Sequence, residues 1–307
     1  MKSIYKNIIL LLVSILVLPA AVSAEPGTTA ANFLKLPQGN RATAMGENFT
    51  AFASGPEALY WNPAGLATGL FNEGRLIYNR WIEGTFYGYG GYRHNIKGGG
   101  IGAAVTYLDS GSIEKRESGR ESNSSYKMRD VSFDIGQAMT IRENYRAGVS
   151  LKFIYESIDG ESANALAAGL GGQFFKRIEE HYLNIGLAIM NLGTKMGYDS
   201  KYPLPAVIRA GAGDELLGGR LRGSLQGDYY ITEQSILGGA GIEFRATPMF
   251  DLRAGYNFGR EAAPFPYGIT AGFGVRYAEM YDYLFDYSIS SAGNLGFVHR
   301  AGVGLQF

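Results

Sequence analysis

Charged side chains recur along the chain at positions whose spacing could do chemistry. Arg146, Lys152 and Glu156 share one parity of an alternating stretch. Arg209, Arg222, Asp228, Arg253, Arg276 and Arg300 hold the matching parity of later stretches, with Glu243, Arg245, Asp251, Asp282 and Asp286 beside them. Interleaved arginines and carboxylates can neutralise one another as cross-strand ion pairs that brace a wall, or form a charged ring that selects what passes through a pore. Spacing alone leaves both open. Catalysis is not expected. A nucleophile needs a base within hydrogen-bond reach, but His94 and His181 flank short turns and His299 has the parity opposite to the charges. There is no Gly-x-Ser-x-Gly elbow and no cluster of metal ligands. The stretch GYGGYRHNIKGGG lacks the Gly-Lys-Ser/Thr ending of a phosphate loop. No cofactor is implied.

Only β-strands put such charges on one face. In YRAGVSLKFIYE, Tyr145, Ala147, Val149, Leu151, Phe153 and Tyr155 alternate with Arg146, Gly148, Ser150, Lys152 and Glu156. YGITAGFGVRY and the terminal LGFVHRAGVGLQF repeat the pattern, which is the period-two signature of strands. A soluble sandwich also alternates. The distinguishing feature is that aromatic residues stand ten apart on the apolar face: Tyr145 and Tyr155, Tyr267 and Tyr277, Phe297 and Phe307. Ten residues of a tilted strand rise roughly 25 Å, the height of the apolar band of an outer-membrane barrel. The apolar faces are therefore expected to meet outer-membrane lipid and the charged faces a lumen.

Counting from Arg75 gives about fourteen strands, so the fold class is all-β: a transmembrane antiparallel β-barrel. The connections at 109–129, 192–204 and 259–266 are long and fall on one side. Those at 95–98, 141–144 and 246–249 are short and fall on the other. That is the asymmetry between the outer loops and periplasmic turns of such barrels.

Composition agrees. Lys plus Arg equals Asp plus Glu at 28 each, which leaves no polybasic excess, so nucleic acid is not an expected partner. The 44 glycines lie among strand-like runs, and 21 tyrosines and 17 phenylalanines accompany them. Lys2 and Lys6, the apolar run 8–18 and the small residues ending at Ala24 read as a secretory signal peptide cleaved after Ala24. The expected organisation is a signal peptide over 1–24, an amino-terminal hatch over 25–72 and a barrel over 73–307, in the outer membrane of a bacterium.

The hatch is inferred from ASGPEALYWNPAGLATG (53–69), which does not alternate. Ser54 followed by Glu57 reads as a capping box, so a short helix is expected from Ser54, stopped where Asn62 precedes Pro63. Leu59, Tyr60 and Trp61 give it an apolar surface too small to fold alone. Fourteen strands enclose more space than their side chains fill, since eight already suffice for a filled interior. Small inward residues leave further room: Ala163, Ala165, Ala167, Gly169 and Gly171, and Gly100, Gly102 and Ala104. Leu59, Tyr60, Trp61, Asn62, Pro63 and Gly65 are therefore the expected gate; a periplasmic tail or interfacial anchor is the alternative.

The segment NFLKLPQGNRATAMGENFTAFASGPEALYWNPAGLA (32–67) also resembles the amino-terminal signature of the PorV/PorQ family, through Arg41, Ala42, Met45, Gly46, Ala58, Tyr60, Trp61, Asn62, Pro63, Ala64, Gly65 and Leu66. LNIGLAIMNLG, YPLPAVIRAGAG and the terminal strand extend the resemblance over most of the mature chain. That family is similar to the FadL-type barrels for hydrophobic molecules. The resemblance implies fourteen strands with an amino-terminal hatch, and passive transport of hydrophobic or amphipathic small molecules. The alternative it implies is a PorV-like component that holds secreted-protein cargo for a type IX-like secretion system. The large outer loops of FadL-type transporters are missing here, and Glu47-Asn48-Phe49 stands in place of a run of small residues. Carboxy-terminal Phe307, with Leu305 and Val303 at alternate positions, resembles the signal read by the barrel-assembly machinery.

Overall fold

Alternating sequence becomes a closed wall. The computed structural model describes residues 28–80, 84–117, 120–258, 268–293 and 296–307. The signal peptide with its cleavage after Ala24, the connection 259–266 and the expected strand starts at Tyr267 and Leu295 lie outside the described residues. The strands are β1 (Glu73–Arg80), β2 (Phe86–Ile96), β3 (Gly99–Asp109), β4 (Ile113–Glu117), β5 (Arg120–Tyr126), β6 (Met128–Arg142), β7 (Tyr145–Ile158) and β8 (Glu161–Ile178). They continue as β9 (His181–Gly193), β10 (Val207–Leu216), β11 (Leu221–Tyr230), β12 (Ser235–Thr247), β13 (Phe250–Phe258), β14 (Ile269–Ala278), β15 (Asp282–Ser291) and β16 (Phe297–Gln306).

Fourteen of these form one closed antiparallel barrel, the number expected from sequence, with each strand paired to its neighbours in chain order. β1 closes on β16 from Glu73↔Gln306 to Arg80↔His299, and reciprocal backbone bonds between Asn72 and Phe307 (2.9 and 3.0 Å) extend the seam. β4 and β5 form a separate hairpin that projects from the connection between β3 and β6. Sequence reading took this stretch as loop. Rich in Glu, Lys, Arg and Ser, it carries no alternating run of apolar residues.

Turns at one end are two to four residues long, such as 143–144 and 217–220. At the other end 110–127 and 194–206 connect strands. The short turns mark the periplasmic end.

The two faces of the wall are inverted relative to a soluble sheet. Leu151 is 60 % exposed on the outside, whereas Arg93, Arg209 and Arg300 are each 1 % exposed inside. Water cannot be the solvent of a surface carrying Phe133, Ile135, Leu151, Phe153 and Leu166 side by side, because monomeric soluble proteins do not expose contiguous apolar areas of that kind. Hydrocarbon can, and aromatic rims flank the band. Tyr145 packs on Phe174 at 4.9 Å near the periplasmic end. Tyr78 packs on Phe86 at 5.4 Å near the outer end. The core lies in the lumen, where buried residues of 28–72 meet inward side chains of the wall, including Ile77, Tyr89, Ala104 and Ala138. Leu151→Arg should destabilise the barrel by about 2–4 kcal/mol, read as a lower urea midpoint for the loss of heat-modifiable gel migration. An unchanged midpoint would contradict lipid exposure of this face.

Candidate functional site

Residues 28–72 run through the lumen. The described chain starts near the outer loops, where the Ala30 N–H donates to the Pro203 carbonyl (3.0 Å) and Thr29 donates to Glu233 (2.5 Å). It ends at the periplasmic start of β1. Both ends of the barrel itself, Glu73 and Gln306, pair at the periplasmic side, as an even number of strands requires, whereas the segment ahead of it begins at the outer side. The outward start follows from Phe33 and Leu34, which bury against Ile154, Ala165, Met196 and Leu204 in the outer half.

Local structure along this segment is a series of single turns: Asn32–Lys35, Asn40–Ala44, Ala58–Trp61 and Pro63–Ala67. The expected capping box does not form. The helix begins at Ala58, no side chain caps it, and the Glu57 carboxylate instead faces Arg75 of β1 at 3.9 Å. A four-residue helix has too few internal bonds to fix its own start, so wall contacts set it. The stop at Asn62 has a local cause. Asn62 is extended (φ -163°, ψ 106°), as a residue before proline prefers. Its side chain accepts from the Ala64 N–H at 3.2 Å, the bond an N-cap residue makes.

These turns bring Leu59, Tyr60, Trp61, Asn62, Pro63 and Gly65 together against glycines of the wall. A Cβ on Gly171 would lie 2.0 Å from Asn62 Oδ1, and one on Gly148 would lie 2.5 Å from the Pro63 carbonyl. Gly46 combines a left-handed backbone (φ +74°) with an approach that would put a Cβ 2.5 Å from the Ala240 carbonyl, so no other residue fits without movement. Polar groups of the segment find wall partners, as buried backbone must. Gln226 accepts from the Phe49 and Thr50 N–H groups (3.0 and 2.8 Å). Gln173 donates to the Ala53 carbonyl (3.0 Å), and Asn62 donates to the Thr50 and Gly172 carbonyls (3.2 and 3.0 Å). The Trp61 indole donates to the Gln38 carbonyl at 2.8 Å.

The luminal charges divide by register. Arg209 and Asp228 stand opposite one another on β10 and β11 at 3.2 Å, and Asp134 and Lys152 on β6 and β7 at 3.2 Å. Arg209 also lies over the Tyr60 and Trp61 rings (4.5 and 5.0 Å) and donates to the Tyr60 carbonyl, a cation–π contact that joins the wall to the segment. Glu243 is a hub. It accepts from Arg222 and Arg253, each at 2.7 Å, and takes both arms of Arg41 from the segment at 2.7 Å, the paired geometry in which a guanidinium binds a carboxylate most strongly. Arg253 continues to Asp286, which also pairs with Arg75 at 2.7 Å. This pair crosses β14 over Gly274, where a Cβ would come within 2.6 Å of both partners.

Three luminal residues find other partners. Arg300 donates to Ser290 (2.8 Å), Arg146 donates to Thr68 (3.0 Å) and lies over Phe175, and Glu156 accepts from the Ala31 N–H. Arg276 makes no ion pair among the described residues. Sequence reading missed Arg93, whose guanidinium donates to the carbonyls of Leu66 and Gly69 (2.6 and 2.9 Å) and of Phe71, as well as Gln173 and Gln226. The signal was parity: Arg93 falls in step with the inward Tyr87 and Tyr89.

In the segment, burial pushes the Glu57 carboxyl up to about 7, with Arg75 opposing and Glu73 adding. Among the described residues no three His, Cys, Asp or Glu side chains converge as metal ligands would.

With this geometry established, comparison with known proteins identifies the architecture. The fold is that of the toluene transporters. The Ralstonia pickettii toluene transporter TbuX superposes with a TM-score of 0.62 at 12 % identity, covering 88 % of this chain and 97 % of that one. The Pseudomonas putida toluene transporter TodX gives 0.60 at 12 %, covering 88 % and 96 %. No protein-family model matches the chain and no curated protein matches its sequence. The chain is a bacterial outer-membrane barrel.

Two outcomes test the site. Gly171→Val should expel the Asn62–Pro63 turn and expose Arg41 to trypsin in detergent, while the barrel remains heat-modifiable; resistance equal to wild type would contradict the packing. For Glu57 the folded pKa, about 7, lies above the ordinary 4.5. A released segment therefore sheds this proton first as pH rises, and stability falls between those values and is level above them. The urea midpoint of wild type relative to Glu57→Gln should drop from pH 5 to pH 8.

Proposed function

We propose that the chain is a passive conduit for hydrophobic or amphipathic small molecules across the outer membrane, and that residues 25–72 are a hatch whose displacement opens it. The observation that carries this reading is the filling of the lumen. A fourteen-stranded wall is occupied by a segment of its own chain that is joined to it covalently at Asn72–Glu73 and elsewhere held by hydrogen bonds, ion pairs and apolar packing. The polar contacts exchange with water at modest net cost, about 0.5–1.5 kcal/mol for an ordinary hydrogen bond and about 1.5–3 kcal/mol where a charge takes part. The glycines beneath 62–65 leave a smooth wall if the segment withdraws.

Leu59, Tyr60, Trp61, Asn62, Pro63 and Gly65 form the moving part in this reading. Lys152, Arg209, Arg222, Asp228 and Arg253 brace the wall around it. The shared fold with proteins named as toluene transporters supports a hydrophobic permeant. Phe307, half-exposed beside Tyr92 and Tyr281 at the β1–β16 seam, is proposed as the element read by the assembly machinery. The cargo-holding alternative rests on the sequence resemblance to the PorV/PorQ family alone, carried chiefly by 32–67.

The chain contains no cysteine, so an engineered pair reports cleanly. A Cβ on Gly211 would lie 3.4 Å from Thr50 Cβ, close to disulfide separation. In proteoliposomes, oxidised Thr50→Cys/Gly211→Cys should take up labelled toluene at the rate of empty vesicles, and reduction should restore uptake. Equal uptake in both redox states would overturn the hatch. No uptake by reduced or wild-type protein would overturn transport.

A further inference from the structure

Beneath the segment, at the periplasmic end of the lumen, is a cavity of about 220 Å³. Seven guanidiniums and four carboxylates line it, an excess of three positive charges. Glu215 approaches Arg222 from outside the lining (3.2 Å) and Glu57, raised to about 7 and so only partly ionised near neutral pH, approaches Arg75 (3.9 Å), which lowers the excess to between one and two. The pairing is uneven. Glu243, Asp251 and Asp286 are taken up by Arg41, Arg222, Arg245, Arg253 and Arg75, whereas Arg276 has no acidic partner among the described residues and Arg93 gives its guanidinium to backbone carbonyls. Thr68, on the same lining, receives Arg146, which also makes no ion pair among the described residues. The lip of the cavity is apolar: Leu70 is 81 % exposed and Phe71 59 % exposed.

Guanidiniums withdrawn from water without a counter-charge are costly to hold. The Arg93 donors are committed to carbonyls, but Arg276, only partly buried, keeps its planar fork of paired donors, which matches a carboxylate or phosphate. A cavity smaller than the roughly 300–1,000 Å³ of drug-sized sites takes a compact molecule, and an apolar lip beside a cationic lining suits one with a short hydrocarbon part. We infer that this vestibule is a binding site for a small organic anion, a carboxylate with an aromatic or short aliphatic body, held by Arg276 with Arg93 behind it and Leu70 and Phe71 against its apolar end. The site lies on the periplasmic side of the hatch and goes beyond the transport reading. Binding there does not require passage.

Isothermal titration of the full barrel in detergent at low salt tests it with benzoate, with toluene as the uncharged counterpart and with inorganic phosphate as charge without hydrocarbon. Benzoate should saturate, weaken as salt is added and weaken about tenfold in Arg276→Gln, the loss of one charge-assisted contact. Phosphate should bind more weakly than benzoate, and toluene should not compete with it. Absence of saturable benzoate binding, an affinity indifferent to salt, or full competition by toluene would overturn the site. Should Arg276→Gln fail to assemble, Arg276→Lys, which keeps the charge and loses the fork, should still weaken benzoate. Unchanged affinity in whichever variant assembles would overturn the role of Arg276. Because binding is read by heat and uptake by labelled toluene, either reading can fail while the other stands. Repeating the titration with the oxidised Thr50→Cys/Gly211→Cys barrel in vesicles, with benzoate added at the outer-loop mouth, distinguishes the source: a permeant carboxylate is blocked by the lock, and a periplasmic solute reaches the site only from the other mouth.

Discussion

A ring of fourteen strands encloses more volume than its inward side chains can occupy, and lipid outside forbids relieving this by turning polar groups outward. Every other feature answers that constraint. Forty-odd residues ahead of the first strand are folded into the space. The wall meets them with glycine and alanine where backbone must approach backbone, and with glutamine where a stretch of extended chain needs partners for its amides. The interior thus resembles the core of a soluble protein in burial, with apolar clusters around Trp61 and Phe33 joined by hydrogen bonds and ion pairs.

The strands were legible because hydrocarbon imposes parity. A residue such as Leu151 cannot exchange faces with Lys152 without placing a charge in lipid, so the sequence of β7 can be read two residues at a time. β2 is harder, since Tyr87 and Tyr89 are buried inward while Phe86 and Tyr92 face out. Where plug and lipid both press on a strand, both faces favour aromatic residues and alternation fades. The β4–β5 hairpin fails for the opposite reason, having no run of apolar residues to alternate.

Partners inside the lumen were only partly legible. Arg209 and Asp228 lie equidistant from the turn at 217–220, so hairpin register alone brings them together. Arg253 and Asp286 are separated by a whole strand, and their contact depends on the gap left at Gly274. The luminal segment shows the limit most clearly. Asn62 before Pro63 announced the turn, because that effect is local. Ser54 and Glu57 suggested a cap, but a helix of one turn has too few internal bonds to hold one against its packing on the wall, and Glu57 lies buried beside Arg75 instead.

The hub at Glu243 makes the contact between plug and wall asymmetric. When Arg41 leaves, Glu243 keeps two guanidiniums from its own sheet, so the wall is never left with a bare buried anion. The electrostatic cost of separation falls on the departing arginine, which regains water. If the segment withdraws as proposed, the wall keeps its own charge pairs in place.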